Sequence, residues 1–265
     1  MYSYLSKLLS DKEGGVTFSC FDVYHLIYIA IFLILLVLSL LIARKKPETV
    51  RKRIERVFIG IAFGLYIADF FLMPFAYGEI DIDKLPFHAC TSMCIMCFLS
   101  NYVPALKKYK TNLAVLGFIS NLTYLVYPAG IMWHEIHPFC YRALQTISFH
   151  GFMVIYGLLV IINDKENNRF KTCYRDLSIL GILTVWAILG NALYSGTAGD
   201  YDHHFNWFFV REDPLGILVG NPNAQYIAPW LNIVALFSLE LIVYGICFAT
   251  KKAFSSKKEA NLTTV

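Results

Sequence analysis

Cys90, Cys94 and Cys97 recur at i, i+4 and i+7. In a helix that spacing puts three thiols on one face. A thiol attacks as its thiolate, and a neighbouring imidazole removes its proton or favours the anion. His150 is the candidate base, because it lies well inside an apolar block. Small thiols also pack as a seam between membrane helices, so spacing alone does not separate Cys90 from its two neighbours. A helix rises 1.5 Å per residue, which puts Cys90 about 6 Å and His150 about 13 Å from the ends of their blocks. Contact between them requires tilt or an uneven helix start.

A second set of residues suits a metal. His134 and His137 are spaced i, i+3, and His203 and His204 follow Asp202. Imidazoles with a carboxylate hold Zn²⁺ and leave a position for water, the arrangement of a zinc hydrolase. No compact ligand motif such as H-E-x-x-H accompanies them. A third set, Asp69, Asn121, Asn232 and Glu240, would line the path of a transporter or ligand-binding membrane protein. Scattered Gly196, Gly199 and Gly216 form no phosphate cradle, and no dinucleotide-binding or P-loop pattern occurs.

The chain that must position these groups is strongly apolar. It has 265 residues, 57% hydrophobic, with a mean hydropathy of +0.53. Seven blocks approach the roughly 20 apolar residues that a helix needs to cross a bilayer: Tyr24–Ala43, Val57–Ala76, Pro86–Leu106, Leu113–Met132, Tyr141–Ile162, Leu177–Tyr194 and Gln225–Ala249. They are too long for barrel strands and do not alternate. The first is also too long and too far from the start for a cleaved signal peptide. The expected fold is all-α, a polytopic membrane protein with seven transmembrane helices. The expected divisions are an extracellular segment at 1–23, the seven-helix domain at 24–249 and a basic cytoplasmic tail at 250–265. A long outer loop spans 195–224, and its aromatics Phe205, Trp207, Phe208 and Phe209 suit either an interfacial anchor or a cap.

Charge gives the orientation. Basic residues gather at Arg44–Arg56, Lys107–Lys110, Lys165–Arg175 and Lys251–Lys258, in alternate linkers and the tail. The positive-inside rule makes that side cytoplasmic, with the N-terminus outside and the C-terminus inside. These clusters need no nucleic acid partner. All seven histidines then fall toward the outer side, with Asp69, Gln145 and Asn191. Ionisable groups facing lipid are costly, so a shared polar chamber is expected. Among the seven cysteines only Cys20 and Cys140 lie clearly at the outer surface, where one disulfide is possible.

Leu85-Pro86-Phe87-His88-Ala89-Cys90, Tyr127-Pro128, His150-Gly151, Asn191 with Tyr194, and Pro229-Trp230 resemble the YwaF-like family of bacterial integral membrane proteins. The resemblance runs from about residue 20 to 250. That family is distantly similar to the vertebrate transmembrane-protein-164 acyltransferases, which move fatty-acyl chains between phospholipids with one cysteine and one histidine. The matching positions here are Cys90 and His150. The resemblance implies a multi-pass protein of the bacterial cell membrane. It implies thiol-based acyl transfer on phospholipid or lysophospholipid, with no soluble cofactor and no obligatory protein partner. His88, Gln145 and Asn191 are then candidate oxyanion donors, with Asp69 in the same chamber.

Overall fold

The computed structural model describes residues 16–77, 82–132, 136–164, 169–194, 206–210, 217–218 and 220–263. Each apolar block contributes one principal helix: α1 Val23–Arg44, α2 Glu48–Tyr77, α3 Ala89–Ser100, α4 Lys110–Val126, α5 Tyr141–Asn163, α6 Cys173–Leu193 and α7 Ala224–Thr263. Asp22 caps α1 by accepting from the His25 amide at 2.7 Å, and the Cys140 sulfur accepts from the Ala143 amide at the start of α5. α7 runs through the stretch expected as a basic tail and ends at Thr263.

Five of the seven, α1, α2, α5, α6 and α7, are long and apolar enough to cross a membrane. α3 has 12 residues and α4 has 17, about 18 and 26 Å against a hydrocarbon core of about 30 Å. The block Pro86–Leu106 is therefore helical only in its middle. At its start, the Pro86 carbonyl accepts from the Ser92 hydroxyl (2.6 Å) and the Trp186 indole (2.7 Å), so it does not begin a helical ladder. At its end, Ser100 Oγ and Asn101 Nδ2 both donate to the Cys97 carbonyl, and the helix stops. The block Leu113–Met132 divides at Pro128 into α4 and a single turn, Ala129–Met132.

α5 is the central element. Its apolar window is 78% buried, against 22% for α1 and 11% for α7. Between membrane helices the hydrophobic effect is weak, and close packing on small residues takes its place. Gly157 of α5 meets α4, where an added Cβ would lie 2.9 Å from the Ala114 carbonyl. Gly151 receives Phe32 of α1, and Gly190 of α6 receives Phe87. The outward surfaces of α1, α6 and α7 expose Ile34, Leu38, Ile182, Val185, Val234 and Ile246, an apolar belt that suits lipid.

Consecutive helices alternate in direction. At one end Glu55 accepts from Lys110 and Asn163, Arg51 donates to Asn163, and Lys251 donates to the Asp164 carbonyl. This is the basic end, and the basic linkers gather there as expected. At the opposite end His25 bonds the Leu125 carbonyl, Tyr28 the Pro138 carbonyl and Tyr66 the Lys84 carbonyl.

Candidate functional site: a thiol and an imidazole between α3, α4 and α5

Gly117 on α4 lets α3 and α5 converge. A Cβ there would sit 3.4 Å from Met153 of α5, and 3.6 Å from both Cys97 and Met93 of α3. One helical turn further from the basic end, the same three faces carry Asn121, His150 and Cys90. α3 begins only at Ala89, so Cys90 lies in its first turn, three residues before Met93.

His150 is 3% exposed and tightly specified. Its Nδ1 lies 2.7 Å from Asn121 Oδ1. Asn121 Nδ2 donates to the Gly117 carbonyl at 2.7 Å, which fixes which end of the amide faces the histidine. An amide oxygen only accepts, so Nδ1 carries the ring hydrogen and Nε2 keeps its lone pair. The Tyr124 ring stacks on the imidazole at 3.8 Å and 11°, and Phe149 meets it edge-on at 4.9 Å. Lys84 and His88 lie within electrostatic reach.

Of the three thiols on α3, Cys94 and Cys97 are sealed at 0% exposure, whereas Cys90 keeps accessible surface. Cys90 is also the second residue of α3, where the positive end of the helix dipole stabilises an anion. Tyr66 of α2 lies within electrostatic reach of Cys90 and Asp69, and Asp69 pairs with Lys84 at 3.4 Å. Tyr66 thus connects Cys90 to the Asp69–Lys84 pair, and Lys84 and His88 are the charged neighbours of His150.

The other expected site residues divide. Gln145 donates to the Leu65 carbonyl at 3.2 Å and accepts from Thr146, which leaves one amide hydrogen unused. His88 is the N-cap residue of α3, and its Nδ1 accepts from the Phe208 amide at 3.4 Å. Asn191 donates to the carbonyls of Ala187 and Trp207 and accepts from the Trp207 amide. With both hydrogens committed it clamps a chain segment and has none left for an oxyanion. That segment, Asn206–Val210, buries Trp207 and Phe208 beside the start of α3, with Trp207 4.8 Å from the Phe87 ring. Phe208 and Phe209 both have positive φ, at 57° and 51°, which costs on the order of 1 kcal/mol or more each. The Asn191 clamp and the 2.6 Å bond from Asn232 to the Phe208 carbonyl offset that strain. Trp207 and Phe208 face protein, so the described part of the loop packs inward and is not a lipid anchor.

Of the candidate metal ligands, His134, Asp202, His203 and His204 lie outside the described residues. His137 Nδ1 accepts from the Phe139 amide. Among the described residues no three His, Cys, Asp or Glu side chains are arranged to hold a metal. No disulfide joins any two of the seven cysteines, so Cys20 and Cys140 are not bridged. The sequence reading assigned Asn121 to a transport path and singled out neither Tyr66 nor Lys84. The available signal was Asn121 and Tyr124 at i, i+3 within an otherwise apolar helix.

Apolar spans, a lipid-facing belt and a polar region among the helices define a multi-pass α-helical membrane protein. A family model described as TMEM164 family matches residues 20–244, and the chain belongs to that family. No curated protein matches it, and no solved structure does.

Proposed function

We propose that this chain is a membrane-embedded acyltransferase that moves fatty-acyl chains on phospholipid or lysophospholipid through a thioester on Cys90. The observation that carries the reading is the 2.7 Å bond between Asn121 and His150 Nδ1 in a dry interior, which leaves Nε2 as a base. In the proposed reaction His150 Nε2 takes the Cys90 proton and the thiolate attacks the carbonyl of an acyl ester. The tetrahedral adduct collapses, the ester C–O bond breaks, and the imidazolium returns the proton to the departing alcohol. A lysophospholipid hydroxyl, deprotonated in turn by His150, attacks the thioester and releases Cys90 as the thiol. Asn121 is the positioning residue, as the asparagine is in Cys–His–Asn thiol proteases. The free hydrogen of Gln145 is the candidate oxyanion donor. The buried Trp207–Phe208 plug limits water, which favours transfer over hydrolysis.

In the same reading the chain crosses the membrane seven times with its basic end in the cytoplasm. In this reading it is a bacterial protein that resembles the YwaF-like family, and its partners are membrane phospholipids. The test is acyl exchange by purified protein in vesicles holding a labelled phospholipid and an unlabelled lysophospholipid. Cys90→Ser and His150→Ala should each abolish exchange, while Cys94→Ala keeps it. Intact-mass measurement of the wild type should find an acyl group labile to hydroxylamine. Wild-type exchange in Cys90→Ser refutes the mechanism.

A further inference from the structure

At the basic end, two cations that acyl transfer does not use share one aromatic ring. Lys108 and Tyr109 close the short helix Pro104–Tyr109 that precedes α4, and Arg175 lies in the first turn of α6. Lys108 Nζ is 5.0 Å and Arg175 Cζ 5.7 Å from the centroid of the Tyr109 ring. Arg175 is fixed by further contacts. Its Nη1 donates to the Lys108 carbonyl at 3.1 Å and its Nε to the Tyr174 hydroxyl at 3.3 Å. Its guanidinium also lies 5.7 Å from the centroid of the Tyr174 ring. Those bonds leave the Nη2 hydrogens and one hydrogen of Nη1 uncommitted.

Other cations at this end are matched by carboxylates: Lys52 pairs with Glu48 at 2.6 Å and Lys110 with Glu55 at 2.7 Å. Among the described residues no carboxylate pairs with Lys108 or Arg175. Asp176, next to Arg175 in sequence, turns inward, where it accepts from Asn112 and from the Tyr244 hydroxyl. Like charges gathered on one ring repel, and the dipole at the start of α6 adds to the positive potential. Cation–π contact offsets only part of that cost. The uncommitted N–H groups of Arg175 and the exposed Lys108 side chain together suit an anion.

We propose that Arg175 and Lys108 bind the phosphate of an anionic phospholipid in the leaflet at the basic end. A lipid fits better than a soluble anion because of what adjoins the pair. Steps of three and four residues from Tyr174 lead along one face of α6 to Ile182, Val185 and Leu189, all exposed. Tyr174 is itself exposed at the head of that face, the depth that interfacial aromatics favour. An acyl chain lying along α6 brings its own phosphate to Arg175. The guanidinium forks onto two phosphate oxygens, and the Lys108 ammonium adds a second charge. Cys90 begins α3 and Lys108 lies beyond its other end, so the two sites are separate. The proposal does not depend on the acyltransferase reading.

The experiment places the full chain in nanodiscs of equal phosphatidylglycerol and phosphatidylcholine and identifies the lipid it retains by native mass spectrometry. Retained lipid should be enriched in phosphatidylglycerol by about tenfold or more, since each cation near the surface contributes about fivefold. Arg175→Gln and Lys108→Gln should each lower the enrichment by about fivefold. Arg175→Lys should recover only part of it, because the fork is lost. Lys45→Gln, just beyond α1 at the same end, should leave it unchanged. Lys108 is exposed, so its variant keeps the test decisive if Arg175→Gln fails to fold. Equal retention of the two lipids overturns the proposal. An equal loss in Lys45→Gln also overturns it, because the attraction is then diffuse. So does loss of the enrichment on adding glycerol phosphate, because the site then takes a soluble phosphate.

Discussion

α4 carries two wholly buried asparagines, Asn121 and Asn112, about 13 Å apart along the helix axis. Asn121 receives a hydrogen from His150 and gives its own to the Gly117 carbonyl and the Ser120 hydroxyl of the same helix. Asn112 gives both hydrogens away, to Asp176 and to the Tyr244 hydroxyl, and keeps a bare oxygen. One region fixes the tautomer of an imidazole, and the other ties α4 to α6 and α7. The same residue type, on the same helix and at the same burial, thus marks two different chemistries. What separates them is whether the partner is an imidazole or a carboxylate with a tyrosine hydroxyl.

The largest expected effect breaks the first region. Asn121→Ala removes the acceptor that holds His150, and an ångström of misplacement at a catalytic base costs about 10²-fold. Transfer should fall by about that factor in kcat with little change in KM. The pH dependence of kcat should move as well, since the imidazole loses the bond that fixes its tautomer. Asn121→Asp, which keeps an oxygen in place, should recover part of the rate. Equal losses in kcat and in thermal stability, with an unmoved pH profile, would reduce Asn121 to a packing residue.

The second effect compares the glycines that follow each cluster's key ring. Gly151 follows His150, and a Cβ there would lie 2.3 Å from the Phe32 ring of α1. Gly245 follows Tyr244, and a Cβ there meets nothing within 4 Å. Gly151→Ala should therefore lower stability by about 1–3 kcal/mol through overpacking. Gly245→Ala should be neutral or stabilise by up to about 1 kcal/mol through helix propensity. Tm of the two variants in the same nanodiscs checks both. A neutral Gly151→Ala would mean that α1 is not packed on α5 as described.

Much of this arrangement was readable in the sequence. Hydropathy located all seven principal helices, because a core of this composition leaves no other way to satisfy the backbone in lipid. The linkers' charge correctly foretold that the basic residues share one end. The shortness of α3 was hidden, because it depends on Ser92 and Trp186 capturing the Pro86 carbonyl, a tertiary event with no local pattern. The partner of His150 was hidden for a similar reason, since Asn121 reads equally well as a path-lining or packing residue. Asn191 looked available for catalysis and is consumed by Trp207, which lies in a loop with no periodicity to place it. Asn112 and Asp176 were passed over because they fall at block edges, where polar residues are expected at a membrane interface.

The smallest effect sharpens the comparison through two tyrosines. Tyr124 serves His150 with its ring face, stacked at 3.8 Å. Tyr244 serves Asp176 with its hydroxyl, at 2.8 Å. An aromatic stack adds about 0.5–1.5 kcal/mol, so Tyr124→Leu should slow transfer about 2- to 10-fold, and Tyr124→Phe should restore most of the rate. At Tyr244 the order reverses: Tyr244→Phe keeps the ring and still loses the hydrogen bond to Asp176, so Tm falls. Measuring transfer for the first pair and Tm for the second separates the two regions with one atom's difference. If Tyr124→Phe proved as slow as Tyr124→Leu, the hydroxyl rather than the ring would be the part of Tyr124 that His150 needs, and the stack would lose its role in holding the base.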